Sequence, residues 1–381
     1  MAPIEYGLVL AGGGAKGIYQ IGAWRAIREL EIPITCVVGT SVGAMNGAMV
    51  ACGQYEGAVA LWENMSIEKG FSLPEPLRVP DNLFHVKNAD IVVKELFRSR
   101  GLDMSPLRRR FEELVTEDAL RASPVEYGLV TFEVTRRQGR HLYRDQIPKG
   151  QLIDYIMASS AYPGIQRPAI GGKTFLDGGL IDNLPVKMLL RRHPDHVVVV
   201  DIGDTGLPRG LPSDLDLIYI KPAQRLGTAF AYQPGDAAKK MKLGWFDGRK
   251  AFGRLAGKWL YFLPDEYRRL RDNLGEETVK GLEIAARLYG LEQLEERLAL
   301  PFARELLERD QAAALRLRDQ AGRTDFPFLL SQPAELQLQV IRRQADEGHL
   351  RFRPLAQRLF PDTLRAADAL ARLRRYMEGE D

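Results

Sequence analysis

The sequence predicts an α/β fold built on a mainly parallel sheet with crossover helices, followed by a mainly helical C-terminal region. Three observations carry this prediction. A strand–turn–helix pattern occurs twice within roughly the first fifty residues, which is how parallel strands with helical crossovers read in sequence. The run Val197-Val198-Val199-Val200 has no polar alternation, as a central strand covered on both faces requires. Beyond about residue 221 the composition shifts to helix formers.

The elements follow in order. Tyr6–Ala11 is a short apolar run that ends in three glycines. A helical pattern comes next, with Ile18, Ile21, Trp24, Ala26, Ile27 and Leu30 on one side. Thr35–Gly39 is a second β-rich run, closed by a small-residue turn and followed by an Ala-, Gly- and Met-rich helix over Val42–Cys52. Further strands are expected at Tyr127–Thr135, Arg140–Tyr143, Val197–Asp201 and Leu217–Ile220. Residues 70–100 carry Pro74, Pro76 and Pro80 and are expected to form an irregular flap. Residues 265–381 read as amphipathic helices, for example Glu276–Tyr289 and Leu291–Leu300. The expected division is a catalytic α/β domain over 1–221 and a helical region over 222–381 with no assigned role.

Composition excludes some functions. The chain has 45% apolar and 27% charged residues and a net charge of +3, with no concentrated basic face of the kind a dedicated nucleic-acid binder needs. The N-terminus MAPIEYGLVL lacks the basic start and long apolar run of a signal peptide, and no stretch reaches the ~18 apolar residues of a membrane span. A cytoplasmic protein is therefore expected. Cys36 and Cys52 lack metal-ligand spacing and read as buried fillers; no metal and no cofactor is expected. Residues 222–260 interleave Lys239, Lys240, Lys242, Arg249, Lys250 and other cations with Trp245, Phe246, Phe252 and Trp259. That segment is a candidate for peripheral contact with an anionic membrane, or an ordinary helix pair whose aromatics pack inward.

Gly39-Thr40-Ser41-Val42-Gly43 fits G-x-S-x-G, the strand-to-helix turn that exposes a nucleophilic serine. Gly39 and Gly43 remove Cβ atoms that would collide at such a bend, and the following helix favours negative charge at its start. Gly12, Gly13 and Gly14, with Lys16 and Gly17, also follow a strand and open a helix. Consecutive glycine amides there can bind an oxyanion or a phosphate. The same loop satisfies G-x-G-x-x-G, but the second strand ends in the serine turn and not in the acidic residue a dinucleotide site expects. None of the five histidines, His85, His141, His193, His196 and His349, is an obvious base: His193 and His196 flank a polar turn, His85 with Asp90 lies in the irregular segment, and His349 is the best late candidate only for a Ser–His–Asp triad. Asp177, followed by Gly178 and Gly179, is better placed, since a partly desolvated carboxylate gains basicity. By its own residues Asp177 reads better as the opening of a turn, since Asp-Gly is a common turn dipeptide.

Four motifs in order, GGGAKG at 12–17, GTSVG at 39–43, ASSAYPG at 158–164 and DGGLIDNLP at 177–185, resemble those of the patatin-like phospholipases. The resemblance implies a three-layer α/β/α sandwich and a Ser–Asp dyad with no catalytic histidine. It implies Ser41 as nucleophile, Asp177 as base and the amides around Gly13 and Gly14 as oxyanion hole. Lys16 stands where many relatives carry arginine. The implied activity is hydrolysis of a lipid or phospholipid acyl ester. The rivals are a Ser–His–Asp α/β-hydrolase, a nucleotide-binding regulatory protein using the glycine loop, and a lipase effector of a signalling or defence system governed by the C-terminal helices.

Overall fold

The structure, a computed structural model, describes residues 4–72, 101–203, 206–229, 235–319, 333–346 and 357–379. One eight-stranded sheet organises the first part of the chain. Its strands are β1 (Tyr6–Leu10), β2 (Ile34–Thr40), β3 (Glu126–Glu133), β4 (Gln138–Tyr143), β5 (Ala169–Ile170), β6 (Lys173–Asp177), β7 (His196–Val200) and β8 (Leu217–Ile220). Five of them, in the order β8–β7–β1–β2–β3, run parallel. β4 and β6 both pair antiparallel with β3, and β5 pairs antiparallel with β6. The sheet is thus parallel through its middle and antiparallel at one corner.

Helices cover both faces. They are α1 (Ile18–Glu29), α2 (Val42–Ala51), α3 (Tyr55–Glu63), α4 (Ser105–Glu112), α5 (Leu152–Ser159) and α6 (Asp236–Ala251). α2 lies over one face, where Leu10, Val37 and Tyr127 surround its Gly47. On the other face Gly7 and Gly128 lie against Leu189 and Met188 of the short helix Val186–Leu189. The central strands are buried on both sides: Leu8, Val9, Val37, Val38 and Val197 through Val200 have no exposed surface. This is the three-layer sandwich, and it explains why these strands read as unbroken apolar runs.

The chain divides into two compact units, Met1–Ala251 and Phe252–Asp381. Composition alone put the break at 221/222. The difference is α6, which is basic enough to resemble the later helices but packs along α1. Gly22 and Gly244 allow this: a Cβ on Gly22 would run into the Met241 carbonyl, and one on Gly244 into the Tyr19 carbonyl. The Tyr19 hydroxyl also donates to Asp247 at 2.9 Å.

The second unit holds its own apolar core, drawn from α7 (Pro264–Leu274), α8 (Glu276–Leu288), α9 (Ala299–Asp319), α10 (Ala334–Asp346) and α11 (Pro361–Glu378). The helix expected over Leu291–Leu300 does not form. Gly290 takes φ +66° and ends α8. The chain then bends, and β10 (Glu296–Arg297) pairs with β9 (Tyr261–Phe262). Leu291 and Leu294 are buried in this non-helical segment, whereas Leu298 and Leu300 are exposed, so the leucines do not form one helix face. The flap expected over 70–100 falls largely in 73–100, outside the described residues.

Candidate active site

β3 is the template on which the site is assembled. Val130 pairs with Thr40, the last residue of β2, and Thr131 pairs with Asp177, the last residue of β6. β2 runs parallel to β3 and β6 runs antiparallel, so the two strands approach along the same row and stop head to head. Ser41 follows the first end and Asp177 forms the second. Residues 136 positions apart in sequence meet because consecutive residues of one strand bind their carriers.

The Ser41 turn is strained. Its φ of 56° and ψ of −128° lie outside the regions L-residues favour. Packing holds it there: Gly39 backs onto Gly43 across the turn, and Gly43 sits against the Leu10 carbonyl, where no Cβ could fit. The Ser41 N–H donates to Ser159 Oγ at 2.9 Å, and that hydroxyl donates to the Val130 carbonyl at 2.6 Å. Thr40 Oγ1 donates to the Asp182 carbonyl at 2.8 Å, tying the serine turn to the segment after Asp177. Ser159 belongs to the ASSAYPG motif, which was visible in the sequence, but nothing there showed that its hydroxyl would hold the serine backbone.

Asp177 is 2% exposed. Its Oδ1 accepts from Gly179 N–H at 2.7 Å, while Oδ2 has no hydrogen-bond partner. Burial pushes the carboxyl up to about 6, against smaller downward pulls from the Ser41 hydroxyl and the Gly179 N–H. The serine is therefore near enough to stabilise the carboxylate without a well-aligned bond to Oδ2. Gly178 lies flush against the Val130 carbonyl, and Gly179 lies beside Asn183.

The glycine loop runs past Ser41. A Cβ on Gly12 would come within 3.1 Å of the Ser41 Cβ. The Gly12 N–H donates to the Asn183 carbonyl at 3.1 Å, and Asn183 Nδ2 returns a bond to the Gly12 carbonyl at 3.2 Å. Gly12 thus contributes space, its amide being spent. Ala15 N–H donates to the Ala229 carbonyl at 2.7 Å. Among the described residues Gly13 and Gly14 keep amides with no recorded acceptor. Gly17 packs against Val42, and Lys16 stands at the edge of the cavity. Asn183, in the DGGLIDNLP motif, was not singled out from sequence.

Ser41, Asp177 and the loop border one cavity of about 340 Å³. Its far wall is apolar, formed by Met45, Met49, Leu61, Trp62, Met104 and Leu107. Trp62 is fixed by its indole N–H, which donates to Asn46 Oδ1 at 3.0 Å. Of the five histidines, His141, His193 and His196 lie among the described residues, and none lines this cavity. His141 pairs with Asp182 at 2.8 Å and His196 with Asp216 at 2.6 Å. His85, Asp90 and His349 fall outside the described residues. Cys36 is buried, Cys52 half-buried, and burial pushes both thiols up, to about 12 and about 11.

Residues 8–190 match the family model described as patatin-like phospholipase. The segment that builds the site is thus the part of the chain that is similar to the patatin-like phospholipases. The chain is 27% identical over 199 residues to patatin-like phospholipase domain-containing protein 7 of Rattus norvegicus, and 29% identical over 218 residues to lysophospholipase nte1 of Aspergillus terreus. These alignments cover 51% and 55% of this chain but only 13% of each relative. The crystal structure of VipD from Legionella pneumophila aligns at a TM-score of 0.44 with 15% identity, over 99% of this chain and 87% of that one. No helix among the described residues is long and apolar enough to cross a membrane.

Proposed function

We propose that this chain is a lipid acyl hydrolase of phospholipase A or lysophospholipase type, working through a Ser41–Asp177 dyad. The observation that carries the reading is the state of Asp177. A buried carboxylate with one oxygen unpartnered, raised towards neutrality and set beside a strained serine, is equipped to take a proton.

In the proposed reaction Ser41 Oγ attacks the ester carbonyl and its proton passes to Asp177 Oδ2. The oxyanion that forms is met by the Gly13 and Gly14 amides. Collapse expels the lysophospholipid or alcohol, which takes the proton back from Asp177. Water then attacks the acyl-enzyme by the same route and releases the fatty acid. The methionine, leucine and tryptophan wall suits an acyl chain, whereas a dinucleotide would meet few polar partners there. The curated relatives, one called a lysophospholipase, favour the same class.

The test is hydrolysis of lysophosphatidylcholine and of phosphatidylcholine by wild type, Ser41→Ala and Asp177→Asn. Both variants should remain folded and lose turnover by about three orders of magnitude or more. A fluorophosphonate probe should label wild type and not Ser41→Ala. Near-normal turnover in either variant would refute the dyad.

A further inference from the structure

The segment first suggested for membrane contact, 222–260, spends two of its aromatics elsewhere. Phe246 is 2% exposed. The Trp245 indole N–H donates to Glu29 at 2.6 Å, with Arg25 and Arg249 set over its ring. Large exposed apolar side chains occur instead beside the Ser41 cavity. Tyr162 is 50% exposed, Leu180 50% and Ile181 43%. Tyr162 and Leu180 line the cavity itself. Their two loops touch, since Asp177 N–H donates to the Ala161 carbonyl at 2.9 Å.

A cationic feature adjoins this rim. Ile181 lies directly against Gly139, near the start of β4. The turn between β3 and β4 carries Arg136 and Arg137, β4 itself carries Arg140, and Lys173 lies close by. Arg136, Arg140 and Lys173 all face the buried carboxylate of Glu133, at 3.6, 3.9 and 3.8 Å. One acid thus answers three cations, and Arg137 adds a fourth at the exposed tip. Apolar tips flanked by excess positive charge are complementary to an anionic bilayer, whose acyl region accepts the first and whose phosphates accept the second.

We infer that the protein docks on an anionic phospholipid bilayer through the mouth of the Ser41 cavity, with Tyr162, Leu180 and Ile181 entering the interface and the β3–β4 arginines meeting lipid phosphates. The inference rests on the lipid-hydrolase reading for its occupant, and it gives that reading a route by which an acyl chain reaches the serine without crossing water.

The experiment uses the Ser41→Ala protein, so that vesicles stay intact, and measures co-sedimentation with phosphatidylcholine vesicles with and without phosphatidylglycerol. Binding should require phosphatidylglycerol and weaken with salt. Adding Arg137→Gln and Ile181→Gln should weaken it about tenfold or more, while Lys239→Gln with Lys242→Gln should leave it unchanged. Equal binding by the Arg137/Ile181 variant, loss through Lys239 and Lys242, or no vesicle binding at all would overturn the inference. In the Ser41 protein, Arg137→Gln with Ile181→Gln should hydrolyse a water-soluble short-chain ester at the wild-type rate. A loss there would make these residues supports of the site and not a docking surface. Absence of that hydrolysis in wild type would defeat the hydrolase reading, and vesicle binding would still decide the docking.

Discussion

Asp177 in the first unit and Asp310 in the second are both closed off from solvent, at 2% and 0% exposure. Their surroundings treat the charge in opposite ways. Asp310 Oδ1 accepts from the Tyr289 hydroxyl at 2.8 Å and from Gln339 at 2.7 Å, and Oδ2 accepts from Arg342 and from Arg374, the latter at 2.8 Å. Asp177 has one backbone N–H on Oδ1 and nothing on Oδ2. Burial alone therefore does not mark a reactive carboxylate. What separates the two is saturation: Asp310 is a satisfied anchor, and Asp177 is held short of partners at the edge of the cavity that Ser41 also lines.

The largest effect should appear in catalysis. If Asp177 is the base, kcat/KM should fall about tenfold per pH unit below about 6, because protonation fills Oδ2. A flat profile from pH 4 to 8 would break the contrast by removing the role of the unpartnered oxygen. The next effect is on stability at the saturated site. Asp310→Asn should cost about 3 kcal/mol or more, because it leaves Arg342 buried beside a neutral group. Denaturant unfolding followed by circular dichroism would measure it, and a loss under about 1 kcal/mol would show that the cluster is less closed than its contacts indicate.

Asp177→Asn should move stability the other way. The folded-state value near 6 exceeds the ordinary 3.8, so the folded protein holds this proton more tightly than the unfolded chain does. Stability therefore drops as pH rises from about 4 to about 6, and the full penalty persists above that range. Removing the charge should return up to about 3 kcal/mol at pH 8 and almost nothing at pH 4. A variant that is inactive yet more stable at pH 8 is what a strained functional group produces; a structural aspartate would lose both.

Much of this was legible in the sequence where local pattern and tertiary setting agree. The parallel strands stood out because burial on both faces leaves them apolar throughout, as in Val197 to Val200. The glycine loop and serine turn stood out because close backbone approach demands glycine at fixed positions. Of the antiparallel corner only β4 did, as the strand expected over Arg140–Tyr143. β5 has two residues and β6 alternates half-buried with buried positions, so neither makes a run that can be recognised. The meeting of Asp177 with Ser41 depends on that corner, which is why the residues alone left Asp177 readable as a turn. α6 and the segment after Gly290 were misjudged for a related reason: which neighbour a helix docks on, and whether apolar residues pack as helix or strand, is decided by partners distant in sequence.

The smallest expected effect separates backbone strain from side-chain chemistry at the same turn. Ser41 and Asp177 each carry a local penalty, but one lies in the backbone and the other in a charge. Ser41→Ala removes the hydroxyl and keeps a Cβ at φ 56°, so the strain remains. Ser41→Gly removes both, and glycine adopts that conformation freely at the cost of a more disordered unfolded chain. With strain of roughly 1–3 kcal/mol set against an entropic loss of about 1 kcal/mol, Ser41→Gly should be about 1 kcal/mol more stable than Ser41→Ala. Both are inert towards fluorophosphonate, so thermal unfolding at a single pH isolates the backbone term. Unlike the Asp177→Asn gain, this difference should not change between pH 4 and pH 8, since no titrating group differs between the two variants. Equal stability would mean that the packing of Gly39 and Gly43 holds the turn without cost, and a pH-dependent difference would mean that the strain and the Asp177 charge are coupled.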